Sequence, residues 1–150
     1  MKYKRGFTLI EVLIVLTIIT MLAAIIIIAV NPARQFAQAR NTQRWAGVNS
    51  LLNAIHQNMI DNDGIFDFSG CGASSLPAAS TVIASSGGTD LCGCLAPTYL
   101  PELPIDPTGG SYTDCTAYDT DYDAFEDAVT GRVTVEASSA ELGVAISVTR

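Results

Sequence analysis

An uncharged apolar run from residue 12 to residue 30 constrains this chain more than any other feature. Its sequence, VLIVLTIITMLAAIIIIAV, contains neither a charge nor a glycine, and residues 7 to 10 extend it past a single acid, Glu11. A helix of about 20 apolar residues spans the hydrocarbon core of a bilayer. The run is too long for the core of a secretory signal peptide, and no small-residue cleavage site follows it. The sequence therefore predicts that residues 7–30 form a membrane-spanning helix.

The charges are distributed unevenly along the chain. Lys2, Lys4 and Arg5 precede the apolar run, while the rest of the chain holds five arginines, no lysine and all 15 acids, or 5 − 15 = −10. Positive residues on one side of a span favour a cytoplasmic position for that side. We therefore expect the N-terminus inside and the following part outside. An exported part this acidic argues against broad contact with nucleic acid phosphates, so no nucleic acid partner is predicted.

The segment 31–62 is predicted to be an amphipathic continuation of the helix. Five apolar residues recur at helical spacing, and polar residues fill most other positions. They are Val48, Leu51, Leu52, Ile55 and Met59. Pro32 cannot donate to the carbonyl of Ile28, so a helix running from about residue 7 to 60 must kink there. The turn residues 61–64 (DNDG) end the helix.

Residues 63–150 are predicted to form a small globular head with an antiparallel sheet. Residues 69–90 are rich in Gly, Ser and Ala and indicate a loop with one short strand at 81–84, and the four prolines of residues 91–110 oppose regular structure. Residues 132–136 and 143–149 alternate apolar and polar side chains, as half-buried strands do, and 112–118 is a third candidate. Together with the helix, this pattern predicts an α+β fold.

The N-terminal residues carry a recognisable motif. Arg5-Gly6-Phe7-Thr8-Leu9-Ile10-Glu11 stands immediately before the apolar run. It resembles the prepilin leader of type IV pilins and type II secretion pseudopilins, a short basic leader followed by Gly, an aromatic residue, Thr-Leu and Glu. The resemblance implies that residues 1–6 are a leader peptide, that a prepilin peptidase cuts between Gly6 and Phe7, and that Phe7 is then N-methylated. It also implies that Glu11 meets the Phe7 amine of a neighbouring subunit during assembly.

The physical chemistry of Glu11 fits such a role. An ionised acid within a bilayer costs about 2.5–3.5 kcal/mol on the insertion scale. The Leu, Ile and Val residues that follow return roughly −0.3 to −0.6 kcal/mol each, so insertion still wins. Glu11 is left needing a partner, and a new α-amino group at Phe7 would be cationic near neutral pH. The alternative is that Glu11 reaches the membrane interface from near the helix end.

A second resemblance lies at residues 97–112, PTYLPELPIDPTGGSY. This segment is similar to the Leu-Pro-x-x-Pro-x-Asp-Pro…Gly…Tyr segment of major pseudopilins and related small pilins. The two resemblances imply a type IV pilin-like fold, with a long N-terminal helix packed on a small antiparallel sheet.

Four cysteines, Cys71, Cys92, Cys94 and Cys115, lie in the exported part. An even number in an oxidising compartment predicts two disulfides. Pairing Cys92 with Cys94 is sterically unfavourable, which leaves Cys71–Cys92 with Cys94–Cys115, or Cys71–Cys94 with Cys92–Cys115. A zinc site of four thiolates is the alternative, but the paired two-residue spacings typical of such sites are absent.

An acidic segment is the candidate metal site. Asp119, Asp121 and Asp123 alternate, and Glu126 and Asp127 follow them. Clustered carboxylate oxygens suit Ca²⁺, although the spacing is not that of an EF-hand. Major pseudopilins bind calcium in a head loop, so the resemblance also implies calcium here, against the alternative of a solvated acidic loop. No cofactor is required otherwise.

The sequence indicates a structural protein rather than an enzyme. The one histidine, His56, has no catalytic partner in sequence, and no nucleophile triad, phosphate loop or metal triad is present. The leading hypothesis is a subunit that polymerises with itself into a type IV pilus-like filament. The alternative is a pseudopilin of a type II secretion system, and a third is a monomeric membrane-tethered binding domain.

The filament hypothesis also implies partners and a location. The expected partners, besides copies of the chain itself, are prepilin peptidase, minor pilins and an assembly platform in the inner (cytoplasmic) membrane. The expected location is that membrane before assembly and a cell-surface or periplasmic filament afterwards.

Overall fold

The computed structural model of the chain describes residues 6–150. These residues fall into two compact units, an N-terminal unit ending at Phe36 and a C-terminal unit Ala37–Arg150. The predicted leader, residues 1–6, lies outside the described residues except for Gly6.

Helix α1 spans Leu9–Val30 and contains no buried residue. Among the described residues it is the helix long and apolar enough to cross a membrane, by length and composition. It ends because Asn31 adopts a left-handed conformation, with φ 46°, a conformation that Asn tolerates better than most residues. The apolar run therefore forms one uninterrupted helix.

Helix α2 spans Pro32–Asp61. Its first residue is the proline, whose fixed φ suits the first position of a helix and whose missing N–H has no partner to lose there. The Asn31 side chain accepts a hydrogen bond from the Arg34 N–H at 3.3 Å and so satisfies a free donor of the first turn. The prediction of a single helix through Pro32 is wrong in this respect, since one non-helical residue separates two helices.

The end of α2 follows the predicted turn chemistry. Asp63 and Gly64 both have positive φ, and the Gly64 N–H donates to the Met59 carbonyl at 2.8 Å. Such a left-handed pair satisfies the last carbonyls of a helix.

Five antiparallel strands form the sheet of the C-terminal unit. They are β1 Thr81–Ala84, β2 Ser111–Asp114, β3 Ala117–Glu126, β4 Val133–Ala137 and β5 Ile146–Thr149. The order is β1-β3-β4-β5, and β2 forms a hairpin with the start of β3. The predicted α+β fold, a long apolar N-terminal helix followed by a small antiparallel sheet, is confirmed.

The core of the C-terminal unit lies between α2 and the sheet. Val48, Leu51, Leu52 and Ile55 of the predicted stripe are fully buried. They belong to one cluster with apolar side chains from the sheet, namely Ile83, Val133, Val135 and Ile146. Burying a side chain of this size stabilises the fold by about 1.5–3 kcal/mol. The apolar stripe of α2 is therefore buried against the sheet, as its helical spacing predicts.

Three segments differ from the sequence prediction. The candidate strand 112–118 contains the turn between β2 and β3, and the predicted acidic loop at 119–127 is largely strand β3. The proline-rich stretch contains a short helix, α3 Cys92–Leu95, because its prolines begin only at Pro97. In β3 the buried side chains Tyr118, Thr120, Tyr122 and Ala124 alternate with the aspartates, so the carboxylates lie on the outer face of the strand.

Candidate functional site

The segment around the predicted cleavage site lies outside the helix. Gly6, Phe7 and Thr8 are non-helical and exposed, and Thr8 is the N-cap of α1 in an extended conformation. The Thr8 hydroxyl accepts a hydrogen bond from the Glu11 N–H at 3.3 Å. The Glu11 carboxylate in turn accepts one from the Thr8 N–H at 3.4 Å. This reciprocal pair is a capping box, which fixes the start of the helix at Leu9.

The capping box gives Glu11 a second role beside the predicted one. A carboxylate in the first turn of a helix is favoured by the helix dipole and by free backbone N–H groups. One oxygen of Glu11 is engaged with its own chain, and an ionised carboxylate can accept several further hydrogen bonds. The arrangement therefore leaves Glu11 able to accept a second donor. Its pairing with a Phe7 amine, and the cleavage after Gly6, stay predictions.

The cysteines form two disulfides, Cys71–Cys94 and Cys92–Cys115. The Cα–Cα distances are 5.0 and 5.2 Å, within the range of such bonds. This is one of the two pairings that the sequence left open, and it leaves no cysteine as a free thiol. One cysteine of each bridge, Cys94 and Cys92, lies in α3. The bridges therefore link the loop at Cys71 and the β2–β3 hairpin to the same short helix.

The carboxylates of the predicted calcium site do not converge. Within residues 6–150, no group of three His, Cys, Asp or Glu side chains is placed to hold a metal ion. Asp121 accepts a hydrogen bond from Ser139, and Asp123 accepts one from Ser138. Asp119 accepts from the Asp121 N–H, and Asp127 accepts from two N–H groups of the β3–β4 turn. The arrangement does not fit a calcium ion, and calcium binding stays a prediction that requires these contacts to change.

Sequence reasoning missed a buried ionic network. The side chains of Arg44 and Asp106 are both 0% exposed, and two guanidinium nitrogens donate to the carboxylate at 2.5 and 3.1 Å. Arg44 also donates to Glu141, at 2.9 Å, and Glu141 accepts a second, two-nitrogen contact from Arg40. No local signal marks these residues, since Arg44 is 62 positions from Asp106 and 97 from Glu141.

The network shifts the pKa of its acids. Burial by itself would raise the pKa of Asp106, but hydrogen bonds from Arg44, Thr108 and Gly109 outweigh it and lower the pKa to about 2. Hydrogen bonds from Arg40 and Arg44 lower the pKa of Glu141, also to about 2. The hydrogen bond to Asp106 raises the pKa of Arg44 further, against the effect of burial. All four groups are therefore charged at neutral pH, and the network is structural.

Comparison with known proteins identifies the N-terminal segment. Residues 1–27 match the profile of the prokaryotic N-terminal methylation motif. Searches of curated proteins and of solved structures found no match. The motif points to a structural pilin-type protein, processed by prepilin peptidase, anchored in a membrane through its apolar helix and assembled into pilus-type filaments. The chain thus carries the prepilin signature of type IV pilins and pseudopilins, placed before an α+β C-terminal unit.

Proposed function

We propose that this chain is the structural subunit of a type IV pilus-like filament, which polymerises through residues 7–30 after removal of residues 1–6. The single observation that carries the proposal is the methylation motif at residues 1–27. The long apolar helix that follows the motif, α1, supports it, because the helix contains no buried residue.

The physical basis is the apolar surface of α1. In a bilayer, lipid covers its side chains, but a filament outside the membrane must cover them with protein. Copies of the same helix provide the required surface, at about 25 cal/mol for each Å² removed from water. Polymerisation therefore compensates for the loss of lipid contact.

The topology and partners follow from the charges and the motif. Lys2, Lys4 and Arg5 favour a cytoplasmic N-terminus, which places the acidic C-terminal unit on the other side of the membrane. The partners are prepilin peptidase, a membrane assembly platform, minor pilins and further copies of the chain. The chain has no catalytic role in this proposal, and its acidic surface disfavours nucleic acid.

The test of the proposal combines filament recovery with two variants of Glu11. Cell-surface material is sheared off and examined by electron microscopy, and mass spectrometry identifies its main subunit. Glu11→Ala removes both the charge and the Glu11 half of the capping box, the hydrogen bond from the Thr8 N–H. Glu11→Gln removes the charge but keeps an oxygen that can accept from the Thr8 N–H.

We expect both variants to insert into the membrane at wild-type levels or above, because each removes an acid that burdens insertion. We expect both to form few filaments, because the ion pair with a neighbouring amine is lost. Normal filaments from Glu11→Gln would show that Glu11 acts through capping, and wild-type cells without filaments of this chain would count against the pilus.

The alternative is a pseudopilin of a type II secretion system. The similarity of residues 97–112 to major pseudopilins favours it. Deletion of the gene would then leave secreted proteins in the periplasm, and sheared material from wild-type cells would lack this chain.

A further inference from the structure

The turn between β4 and β5 presents apolar side chains to solvent in a strained conformation. Leu142 has φ 61° and Gly143 has φ 68°, and the Val144 N–H donates to the Glu141 carbonyl at 3.3 Å. Positive φ at both central residues is the pattern of a type I′ turn, which favours Asn-Gly. Leucine is poorly suited to that position because its Cβ crowds the backbone. The side chains of Leu142 and Val144 are nevertheless 49% and 45% exposed.

Contacts from α2 hold this turn in place. The Asn41 side chain donates to the Glu141 carbonyl at 2.8 Å and accepts from the Glu141 N–H at 3.0 Å. Arg40 and Arg44 both donate to the Glu141 carboxylate. Both backbone polar groups of Glu141 and its carboxylate are therefore held by α2, so the residue that precedes Leu142 is fixed in position. An apolar side chain that is already held in position loses less conformational entropy when it binds a partner.

We infer that the turn formed by Glu141, Leu142, Gly143 and Val144 is a docking surface for helix α1 of a second copy of this chain. The inference rests on the proposed function, in which α1 leaves the bilayer and must be covered by protein. Leu142 leaves about half of its surface in water despite this strain, and burial of that surface in the assembly would account for the strain.

The distribution of charge along the chain indicates which partner covers this turn. The C-terminal unit holds four arginines and 14 acids, or 4 − 14 = −10, so two such units repel each other over most of their surfaces. Residues 142–149 (LGVAISVT) and residues 12–30 of α1 contain no charge. The charged residue of the turn, Glu141, is already paired with Arg40 and Arg44, so an apolar helix can cover the turn without leaving an unpaired charge.

The first experiment uses the mature chain in cells that form filaments and compares three variants. Leu142→Asn introduces the residue that a type I′ turn prefers and removes the apolar group. Leu142→Met keeps an apolar side chain at the same strained position. Val129→Asn is the matched control, because Val129 is 93% exposed at the tip of the β3–β4 turn and has no place in the inference.

We expect Leu142→Asn to melt at the same temperature as the wild type or higher, yet to leave roughly tenfold more subunit unassembled, the loss expected for one buried leucine. Leu142→Met and Val129→Asn should assemble as the wild type does. Undiminished filaments from Leu142→Asn would overturn the inference, as would a lower melting temperature. Absence of wild-type filaments would instead contradict the proposed function.

The second experiment identifies the occupant. A photo-activated cross-linking amino acid at Val144 is incorporated into the assembled chain, and the cross-linked peptides are mapped by mass spectrometry. We expect adducts between chains at residues 9–30 of the second copy. Adducts at residues 37–150 of the second copy, or no adduct between chains, would contradict docking on α1.

Discussion

At the scale of single residues, Gly47 shows how a distant contact overrides a local preference. A glycine within a helix is less favourable than alanine by about 1 kcal/mol. Gly47 is nevertheless required in α2, because an added Cβ would lie 2.6 Å from the Tyr122 hydroxyl oxygen and 2.9 Å from the ring carbon that bears it. Tyr122 is fully buried, and burial together with the nearby Asp106 charge raises its pKa to about 12. The missing side chain allows α2 to approach β3.

We predict that Gly47→Ala destabilises the C-terminal unit despite the better helix propensity of alanine. Overpacking of this kind lowers the free energy of unfolding by about 1–3 kcal/mol, which exceeds the propensity gain. Urea unfolding of the fragment Ala37–Arg150 measures the change. Adding Tyr122→Phe removes the nearest atom, so the double variant should lose less stability than the sum of the single ones. A more stable Gly47→Ala would show that Tyr122 moves aside freely.

At the scale of elements, the ionic network links three parts of the C-terminal unit. Arg44 lies on α2, Asp106 lies in the proline-rich segment, and Glu141 is the first residue of the turn between β4 and β5. The Thr108 hydroxyl accepts a further hydrogen bond from Arg44 at 2.8 Å. A buried ion pair of this type is weak evidence of net stabilisation, but removal of one partner leaves an uncompensated charge. The network therefore makes the positions of these elements interdependent.

We predict a corresponding dependence of stability on pH. The pKa values of Asp106 and Glu141 are lowered to about 2 from ordinary values of 3.8 and 4.5. A carboxylate whose pKa is lower in the folded state stabilises that state, and this stabilisation is complete above its ordinary pKa. The stabilisation is lost as the pH falls through the pKa of the folded state. The free energy of unfolding should therefore fall between about pH 5 and pH 2. Asp106→Asn should destabilise by about 3–5 kcal/mol at neutral pH, because Arg44 stays buried.

The measurement is urea unfolding of wild type and Asp106→Asn from neutral to acid pH. The variant should lose less stability over the acid range than the wild type does. Glu102→Gln, which removes an exposed acid outside the network, is the control and should follow the wild type. Parallel curves for all three proteins would show that the acid sensitivity arises elsewhere.

The disulfides give a second prediction at this scale. Each bridge joins residues 23 positions apart. Replacing either pair with alanine should lower the free energy of unfolding by about 3 kcal/mol, chiefly through the entropy of the unfolded chain. Mass spectrometry of non-reduced peptides should find Cys71–Cys94 and Cys92–Cys115 and no free thiol. A Cys71–Cys92 peptide would contradict the pairing.

Calcium binding is predicted at the aspartates of strand β3. The test is thermal unfolding of the fragment Ala37–Arg150 in the presence of calcium, magnesium or a chelator. If calcium gathers the carboxylates of β3, binding to the folded state raises the melting temperature with calcium concentration. Magnesium should do less, because it demands a tighter octahedral site. Identical curves would leave these aspartates as the solvated face of the strand, held by Ser138 and Ser139.

At the scale of the whole molecule, the chain combines a long apolar helix with an acidic unit of opposite character. Helix α1 is apolar on every side, whereas the C-terminal unit has its own core and a strongly acidic surface. The first needs lipid or other copies to cover it, and the second needs water. The chain can therefore change its surroundings at one end without unfolding the other.

We predict that processing occurs between Gly6 and Phe7. Both residues lie in the non-helical segment before the Thr8 cap, where a peptidase can reach the backbone. N-terminal mass analysis of the mature chain should begin at Phe7 and show one added methyl group. A mature chain that begins at Met1, or near Asn31, would contradict the prediction.

The sequence by itself determined the parts that depend on local composition and periodicity. The apolar run sets α1, helical spacing sets the buried stripe of α2, and residues 5–11 carry the prepilin motif. Alternation located β4, and the strand at 81–84 was placed correctly. The same alternation runs through β3, but the density of aspartates there favours a metal-binding loop over the outer face of a strand.

Only the tertiary structure decided the features that join distant residues. Arg44 finds Asp106 and Glu141 across 62 and 97 positions, and Tyr122 requires a glycine at position 47. The pairing of the cysteines also depends on where α3 lies, because sequence spacing allows two pairings. Periodicity reports which side of an element is buried, whereas these contacts depend on which elements meet, and that is settled by packing of the whole C-terminal unit.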